Sequence, residues 1–313
     1  MSEPPVSFLV GKRDAGKRLD KFLGEKIPGL SRTRIQQAIR ERVTLSWDAE
    51  VRPSTSVRAG GEIWIAHREL NETLLEIDIP VIARGEGWLC VDKPPNVPVH
   101  PVNKVLENSL IRMLRRQEDD PELRLTHRLD AETTGTLVVA ADTERARHLS
   151  RSFFHDRVHK EYLAWVAGEV EAERGQIDLP IGDHPDSRVW IRLLAADGME
   201  KPAATRWAVE RREPGRTLVH LEPKTGRRHQ LRVHLEAIGH PILGDPLYGR
   251  PDDFYLARVR GEEDPRIAAG GPARMLLHCA RMSFPDPNGE EMVRVEAALP
   301  LDMAPNQPDP PMP

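Results

Sequence analysis

The stretch LTHRLDAETTGTLVVA, residues 125–140, is the most informative part of this 313-residue chain. Arg128 and Asp130 stand on either side of one leucine, Gly135 follows five residues after the aspartate, and an apolar run begins there. That β-branched run, bounded by turn residues, predicts a buried strand. If LTHRL is also a strand and TTG a turn, Asp130 lies at a strand end, on a loop that a rigid scaffold can hold.

Two other stretches offer partners for Asp130. VHKEYLAWVAG contains Tyr162, and PKTGRRHQLRVH concentrates Lys224, Arg227, Arg228 and Arg232 within nine residues. An aspartate beside buried arginines stays ionised and can act as a nucleophile or a base. A tyrosine offers a flat face on which a nucleobase can stack and a hydroxyl that can move a proton. From these features alone, a structural Asp–Arg ion pair and a catalytic carboxylate remain equally open.

The composition predicts a cytoplasmic protein of about two domains. No signal-peptide pattern and no apolar run of the ~18 residues that a membrane helix needs is present, so we expect no membrane contact. Cys90 and Cys279 lie far apart in apolar stretches and are expected to be buried, reduced thiols. The histidines show no tight metal-ligand spacing, so no metal site is predicted. Lys93 is expected to be structural.

The N-terminal region is basic although the whole chain carries a net charge of −4. Residues 1–45 contain ten Lys and Arg against five Asp and Glu. RLDKFLG and SRTRIQQAIRERV have helical spacing, with Ser31 as the expected N-cap, and VTLSW and GGEIWIA are short predicted strands. Such a module fits a polyanion, and an ordinary solvated face is the alternative. The residues expected to contact RNA are Lys17, Arg18, Arg32, Arg34 and Arg40.

The rest of the chain is rich in strands with interspersed helices. Strands are predicted at GWLCVDKPP, TGTLVVAA, KEYLAWVAGEV, ATRWAVERRE and RTLVHLEP, and helices at NSLIRMLRRQ, DTERARHLSRSFFHD (capped by Asp142) and RRHQLRVHLEAIG. This pattern favours a mixed α+β fold with a largely antiparallel sheet flanked by helices. We expect a small α+β module over 1–75, a main domain over 76–301 and a disordered proline-rich tail over 302–313.

Several motifs together resemble one enzyme family. HRLDAETTG, residues 127–135, resembles the HRLDxxTSG signature of the RluA-type family of RNA pseudouridine synthases, and VDKPPNVPVHP resembles that family's KPxGxxVHP stretch. VHKEYLAWVAG, GMEKPAATRW, PKTGRRHQLRVHLEAIGHPILGDPLYG and RMLLHCARMSF follow in the family's order. The N-terminal RLDKFL and SRTRIQQAI resemble the RNA-binding module named for small-subunit ribosomal protein S-four. The resemblance extends to about Leu301.

The resemblance implies isomerisation of uridine to pseudouridine in folded RNA, without metal or cofactor. Asp130 matches the family's essential carboxylate, which either attacks the sugar or removes a ribose proton. Arg232 is the expected salt-bridge partner, with Arg227 second, and Tyr162 matches the tyrosine that stacks on the target base. Arg128 is expected at the RNA face, where it helps to hold the uridine out of its helix. Leu276 is expected to form a wall of the pocket and to exclude water.

Two positions depart from the motif. Ala131 stands where the family usually has a cation, which bears on RNA affinity, and Thr134 replaces serine but keeps a hydroxyl. The fused module favours large-subunit ribosomal RNA as partner, with transfer RNA as an alternative, and a monomer is expected. A non-catalytic RNA-binding protein of ribosome assembly is a second hypothesis. A carboxylate-based glycoside hydrolase is the third, and it would need a second acid such as Glu132.

Overall fold

The computed structural model describes residues 6–27, 32–65, 72–102, 105–262, 272–289 and 291–304. The chain divides into two units, Met1–Asn71 and Glu72–Pro313. Sequence patterns placed this boundary four residues later.

The N-terminal unit packs two helices on a three-stranded antiparallel sheet. Its elements are β1 (Val6–Leu9), α1 (Leu19–Lys26), α2 (Arg32–Arg42), β2 (Val43–Leu45) and β3 (Glu62–Ile65), and the strand order is β1-β3-β2. The apolar residues at helical spacing in α1 and α2 form one core with Ile63. Strand β1 has no sequence signal of its own, because its residues are largely exposed. Ser31, the expected N-cap, lies outside the described residues.

A ten-stranded sheet forms the centre of the second unit. Its strands are β4 (Val81–Gly85), β5 (Trp88–Lys93), β6 (Arg124–Leu125), β7 (Thr134–Ala140), β8 (His159–Ala167), β9 (Arg174–Ile177), β12 (Thr205–Glu213), β13 (Arg216–Pro223), β14 (Leu277–Pro285) and β15 (Met292–Glu296); β10 (Ile181–Asp183) and β11 (Leu193–Ala195) form a separate pair. The order is β4-β5-β7-β14-β8-β13-β12-β9, with β6 on β7 and β15 on β14. Among the strands that the structure describes, only β7 and β14 pair in parallel, so the predicted largely antiparallel α+β fold is confirmed.

Within the described part of this unit, four α-helices accompany the sheet: α3 (Leu110–Gln117), α4 (Thr143–Phe154), α5 (Gln230–Ala237) and α6 (Asp252–Val259). Helix α4 begins where its sequence predicts, because the Asp142 side chain accepts a hydrogen bond from the Arg145 backbone N–H at 2.8 Å. No helix among the described residues has the length and apolarity needed to cross a membrane.

The parallel contact between β7 and β14 depends on Gly135. This residue has φ +107°, and a Cβ atom there would lie 2.2 Å from the carbonyl oxygen of Cys279. Only glycine combines this backbone conformation with so close an approach of a second strand. Gly135 therefore fixes the start of β7, five residues after Asp130 in the sequence.

The C-terminal boundary differs from the prediction. A 3₁₀ turn spans Leu301–Met303, and Met303 is fully buried against Trp165 and Leu218. The indole Nε1 of Trp165 donates to the Met303 carbonyl oxygen at 2.9 Å, and Arg274 pairs with Asp302. The prediction of disorder is thus wrong for residues 302–304, because one methionine fills the core there. Residues 305–313 lie outside the described residues.

Candidate active site

The loop that carries Asp130 leaves the sheet earlier than the sequence indicates. Strand β6 contains only Arg124 and Leu125, so the prediction of a strand through Leu129 is wrong. At Val138, side chains replace the backbone hydrogen bonds of the sheet. Thr126 Oγ1 donates to the Val138 carbonyl oxygen at 2.7 Å, and the Val138 N–H donates to His127 Nε2 at 3.0 Å. The backbone is thereby released into a loop that closes with a turn from the Thr133 N–H to the Asp130 carbonyl.

A buried arginine on α5 joins Asp130 to a second carboxylate. Arg232 Nη1 donates to Asp130 Oδ2 at 3.0 Å, and its Nε and Nη2 donate to the two oxygens of Asp245 at 2.7 and 2.8 Å. Asp245 is itself held by the backbone N–H groups of Leu247 and Tyr248. The structure thus brings together the two residues paired from the sequence, and it fixes the guanidinium from behind.

The charges keep Asp130 ionised. Burial acts to raise its pKa, but the charge of Arg232 and its hydrogen bond, with a contribution from His229, outweigh burial and hold the pKa below the ordinary value of 3.8. Burial, together with the charge of the nearby Arg232, lowers the pKa of His229 to about 4, so this imidazole is neutral at pH 7. The site therefore presents a carboxylate that is unprotonated at physiological pH.

Lys93 supports the same loop from the other side. Its ammonium is fully buried and donates to the carbonyl oxygens of Pro94, Val97 and Ala131 at 2.7 to 2.8 Å. Burial lowers the pKa of Lys93 to about 7, but three acceptors need three donors, which favours the charged form. Lys93 therefore ties the residue after Asp130 to the end of β5, a structural position as the sequence indicated.

Asp130 opens into a cavity of about 1100 Å³. Tyr162 on β8 lines it, and burial raises the pKa of this phenol well above its ordinary value, with the neighbouring Cys279 adding to the shift. The tyrosine is thus neutral, and its ring forms a wall within the same cavity as Asp130. The prediction of a tyrosine beside the carboxylate agrees with this arrangement.

Leu276 does not line this cavity, and that prediction is wrong. Leu277 lines it instead, whereas Leu276 packs against Trp165, Leu218 and Met303. Successive side chains of an extended segment point to opposite faces of the sheet. The prediction was therefore displaced by one residue: Leu277 points to the cavity, and Leu276 points to the core on the other face.

Basic side chains surround the mouth of the cavity. Arg128 is exposed, and its guanidinium makes no hydrogen bond or ion pair with any residue that the structure describes. Lys224, Arg227 and Arg228 also line the cavity and are exposed. Arg227 does not take the place of Arg232, because its Nε donates to the Pro202 carbonyl oxygen at 3.1 Å. These four residues are called the basic rim below.

The predicted RNA contacts of the N-terminal unit differ in their pairing. Lys17 forms ion pairs with Asp14 and Glu25 at 2.7 and 2.6 Å. Arg18 binds both oxygens of the buried Asp20, which Arg32 also approaches at 3.4 Å. Arg34 and Arg40 lie exposed on α2. Part of the basic side chains of the unit are thus paired with acids, and the net charge alone could not show which ones.

Two residues of the site were missed from the sequence. Asp245 lies in the turn ILGDPLYG, where an acid with proline behind it reads as a surface turn, yet it is 1% exposed. Tyr248 follows in the same turn; its ring lies 5.0 Å from the Arg232 guanidinium, and its hydroxyl is 2.9 Å from His229 Nδ1. The only available signal was the coincidence of an acid, a tyrosine and two glycines in six residues.

Comparison with known proteins gives consistent matches. Residues 87–237 match the family model described as RNA pseudouridylate synthase. The chain is 32% identical to ribosomal large subunit pseudouridine synthase D of Nitrosomonas europaea, over 97% of this chain and 87% of that protein. It is 31% identical to the protein of the same name from Yersinia pestis, over 95% and 92% of the two chains.

Solved structures give the same fold. The structure of human RNA pseudouridylate synthase domain containing 1 superposes with a TM-score of 0.58 at 30% identity, over 72% of this chain and 86% of that one. Human RNA pseudouridylate synthase domain containing 4 superposes with a TM-score of 0.55 at 24% identity, over 72% and 90% of the two chains. The second likeness concerns the fold alone.

Proposed function

The chain belongs to the RluA-type family of RNA pseudouridine synthases and is an isomerase, and we propose that it converts specific uridines of large-subunit ribosomal RNA to pseudouridine. The choice of RNA is supported by the relatives from Nitrosomonas europaea and Yersinia pestis, which carry this RNA in their names and match nearly the whole chain. Transfer RNA has no comparable support.

One observation carries the catalytic assignment. The side chains of Asp245, Arg232 and Asp130 form a buried hydrogen-bonded series, and it ends in a carboxylate that faces the cavity. Burying three charges costs several kcal/mol per ion before their attraction is counted. A protein that only binds RNA gains nothing from this arrangement beneath a pocket. An enzyme that needs an ionised carboxylate in a dry site does gain from it.

Asp130 is the proposed catalytic residue. The N1–C1′ bond of the uridine breaks, the uracil turns, and C5 forms the new bond to C1′. The proton on C5 is released and N1 takes up a proton, so atoms and electrons balance without a cofactor. Asp130 begins this sequence by attacking C1′ or by removing a ribose proton, and both routes require its ionised form.

Tyr162 and Leu277 are proposed to hold the base during its rotation. Their side chains line the cavity that Asp130 faces, and they limit access of water to the cleaved sugar. Arg128, exposed at the mouth, is proposed to occupy the space that the uridine leaves in its RNA helix. The other members of the basic rim are proposed to bind flanking phosphates.

The two units of the chain support a division of labour. We propose that the N-terminal unit, with Lys17, Arg18, Arg32, Arg34 and Arg40, adds RNA affinity, and that the second unit performs the isomerisation. Because isomerisation consumes no second substrate and changes no oxidation state, the enzyme is proposed to act without metal or cofactor. A cytoplasmic monomer is proposed from the sequence alone.

The test uses large-subunit ribosomal RNA transcribed with tritium at uracil C5, because the C5 proton is released when the new bond forms. The native protein is expected to release tritium, and Asp130→Asn to release none, a loss of at least ~10³-fold. Sequencing after chemical labelling of pseudouridine then gives the modified position. Equal release by the two proteins would refute the role of Asp130.

Asp253→Asn is the matched control. Asp253 is an exposed aspartate on α6 that pairs with Arg188, outside the cavity, so the same chemical change there should leave tritium release unaltered. The alternative of a non-catalytic RNA-binding protein predicts instead that neither the native protein nor any variant releases tritium, while RNA binding persists.

A further inference from the structure

A second groove lies beside the catalytic cavity and is not used by the mechanism above. One face of α4 forms its floor, with residues spaced three and four apart: Thr143, Ala146, Arg147, Ser150, Arg151 and Phe154. Strand β6 and helix α3 supply the other walls through Arg124 and Arg115. The groove encloses about 640 Å³. Its position follows from a regular helical period and not from an irregular loop.

The groove and the catalytic cavity are continuous. Ser150 and Phe154 line both of them. His100, which also lines the groove, lies close to Arg128 of the basic rim: burial lowers the pKa of His100, and the charge of Arg128 lowers it further. The groove is therefore within reach of nucleotides next to one that enters the cavity.

The electrostatics of the groove favour a polyanion. Four arginines and one histidine line it, and no acidic residue does, in a chain whose net charge is −4. Arg147 and Arg151 are exposed and form no ion pair with any other described residue. Arg124 pairs with Glu122 outside the lining, and Arg115 donates to the Leu123 carbonyl oxygen. Two arginines on one helix face are thus available to bind phosphates.

Phe154 is the aromatic member of the groove. Its side chain is 82% exposed at the last position of α4, although only 5% of the chain is aromatic. The ring of His155 meets it edge to face at 5.2 Å between centroids, which limits the directions the phenyl ring can take. An exposed phenyl ring between two nucleotide-sized spaces is suited to stacking on an unpaired base.

We propose that this groove binds the RNA strand next to the target uridine, with Phe154 stacking on an adjacent base and Arg147 and Arg151 binding its phosphates. The inference rests on the proposed function, because it extends the same substrate from the cavity onto α4. It makes Phe154 and the two arginines determinants of substrate affinity and of the choice of site. They take no part in bond breaking.

The experiment compares Phe154→Ala, Phe154→Trp and the double variant Arg147→Gln/Arg151→Gln as full chains. With the tritiated large-subunit transcript, Phe154→Ala should raise KM about 10-fold with kcat little changed, and Phe154→Trp should restore KM. Filter binding of the same transcript should show the double variant with a salt dependence, dlogK/dlog[salt], that is smaller in magnitude by roughly 1.4. Trp190→Ala, which removes an 83% exposed aromatic outside both spaces, and Arg294→Gln are the controls.

The outcomes separate the two proposals. An unchanged KM for Phe154→Ala and an unchanged salt dependence for the double variant, in an active enzyme, overturn the groove and leave the proposed function intact. If the native protein releases no tritium, the proposed function fails, and the binding constants of the same variants still decide the groove: weaker binding supports it and equal binding overturns it. Because all three side chains are exposed, circular dichroism melts of the variants should match those of the native protein.

Discussion

Replacing Arg232 by methionine tests the electrostatic design of the site. The substitution keeps a long apolar stem but leaves Asp130 and Asp245 buried without the cation that donates three hydrogen bonds of 2.7 to 3.0 Å to their oxygens. Removing one partner from a buried pair costs roughly 3–5 kcal/mol. That is a large share of the ~5–15 kcal/mol by which native proteins are stable. With a urea m value of about 3 kcal/mol per M, the unfolding midpoint should fall by at least about 1 M.

The same variant should change the pH dependence in a defined direction. In the native protein the pKa of Asp130 lies below 3.8, so this carboxylate stabilises the fold above that pH, and the contribution is lost as the pH falls through the folded pKa. Without Arg232 burial remains, and the pKa of Asp130 should rise above 3.8. Two unit charges 3.0 Å apart at an effective dielectric constant of about 20 interact by about 5.5 kcal/mol. This sets a ceiling of roughly four pKa units for the rise.

The assay is tritium release between about pH 4 and pH 9, fitted as kcat/KM against pH. The acid limb of the variant should lie at higher pH than that of the native enzyme. Arg294→Met, at an exposed arginine on β15, should leave both the acid limb and the urea midpoint in place. The reasoning is wrong if Arg232→Met keeps the native acid limb while Asp130 remains essential, because the ionisation of Asp130 would then not depend on this arginine.

Three further substitutions test the scaffold. Lys93→Met leaves three carbonyl oxygens without a donor, so urea unfolding should show a loss of roughly 3–5 kcal/mol and kcat should fall; an unchanged kcat would contradict its role in holding the catalytic loop. Gly135→Ala forces a Cβ against a backbone oxygen and should yield little folded protein. Gly239→Ala, with φ +83° and no atom within 4 Å of the added Cβ, should lower the free energy of unfolding by only about 1–2 kcal/mol. Equal melting temperatures of these two variants would refute the steric argument. Leu276→Ala should lower stability by about 2–5 kcal/mol at constant KM, and Leu277→Ala should also lower kcat/KM; the opposite result would reverse the two faces of this segment.

Five strands of the central sheet and helices α3, α4 and α5 were predictable because their periodic patterns are long. Helix α4, for example, has an N-cap at Asp142 and apolar positions at helical spacing, and both signals agree with the structure. Strand β1 was missed because packing on β3, and not a local pattern, makes it a strand. The early end of β6 was missed because the side chains of Thr126 and His127 replace backbone pairing, and no local propensity encodes this.

The site was predictable as far as its motifs extend. The pairing of Asp130 with Arg232 agrees with the motif, but Asp245 holds Arg232 from a turn whose sequence is typical of the surface. Leu276 was chosen over Leu277 because the sequence of one extended segment does not show which of two adjacent side chains points to which face of the sheet. The register with the neighbouring strand decides this. The pairing of Arg32 in the N-terminal unit was hidden for a similar reason, because Asp20 becomes its partner only when α1 and α2 pack together.

The buried trio of Asp130, Arg232 and Asp245 contains two anions and one cation, so the trio by itself carries a net negative charge beneath the cavity. A phosphate held about 6 Å from that floor would be repelled by about 3 kcal/mol at an effective dielectric constant of about 20, whereas uracil and ribose hydroxyls are neutral. The basic rim has the opposite sign and attracts phosphates to the mouth. We therefore expect a uridine within a strand to enter the cavity while its phosphates stay at the rim. We expect a free nucleotide, whose phosphate must follow the base inward, to bind less well.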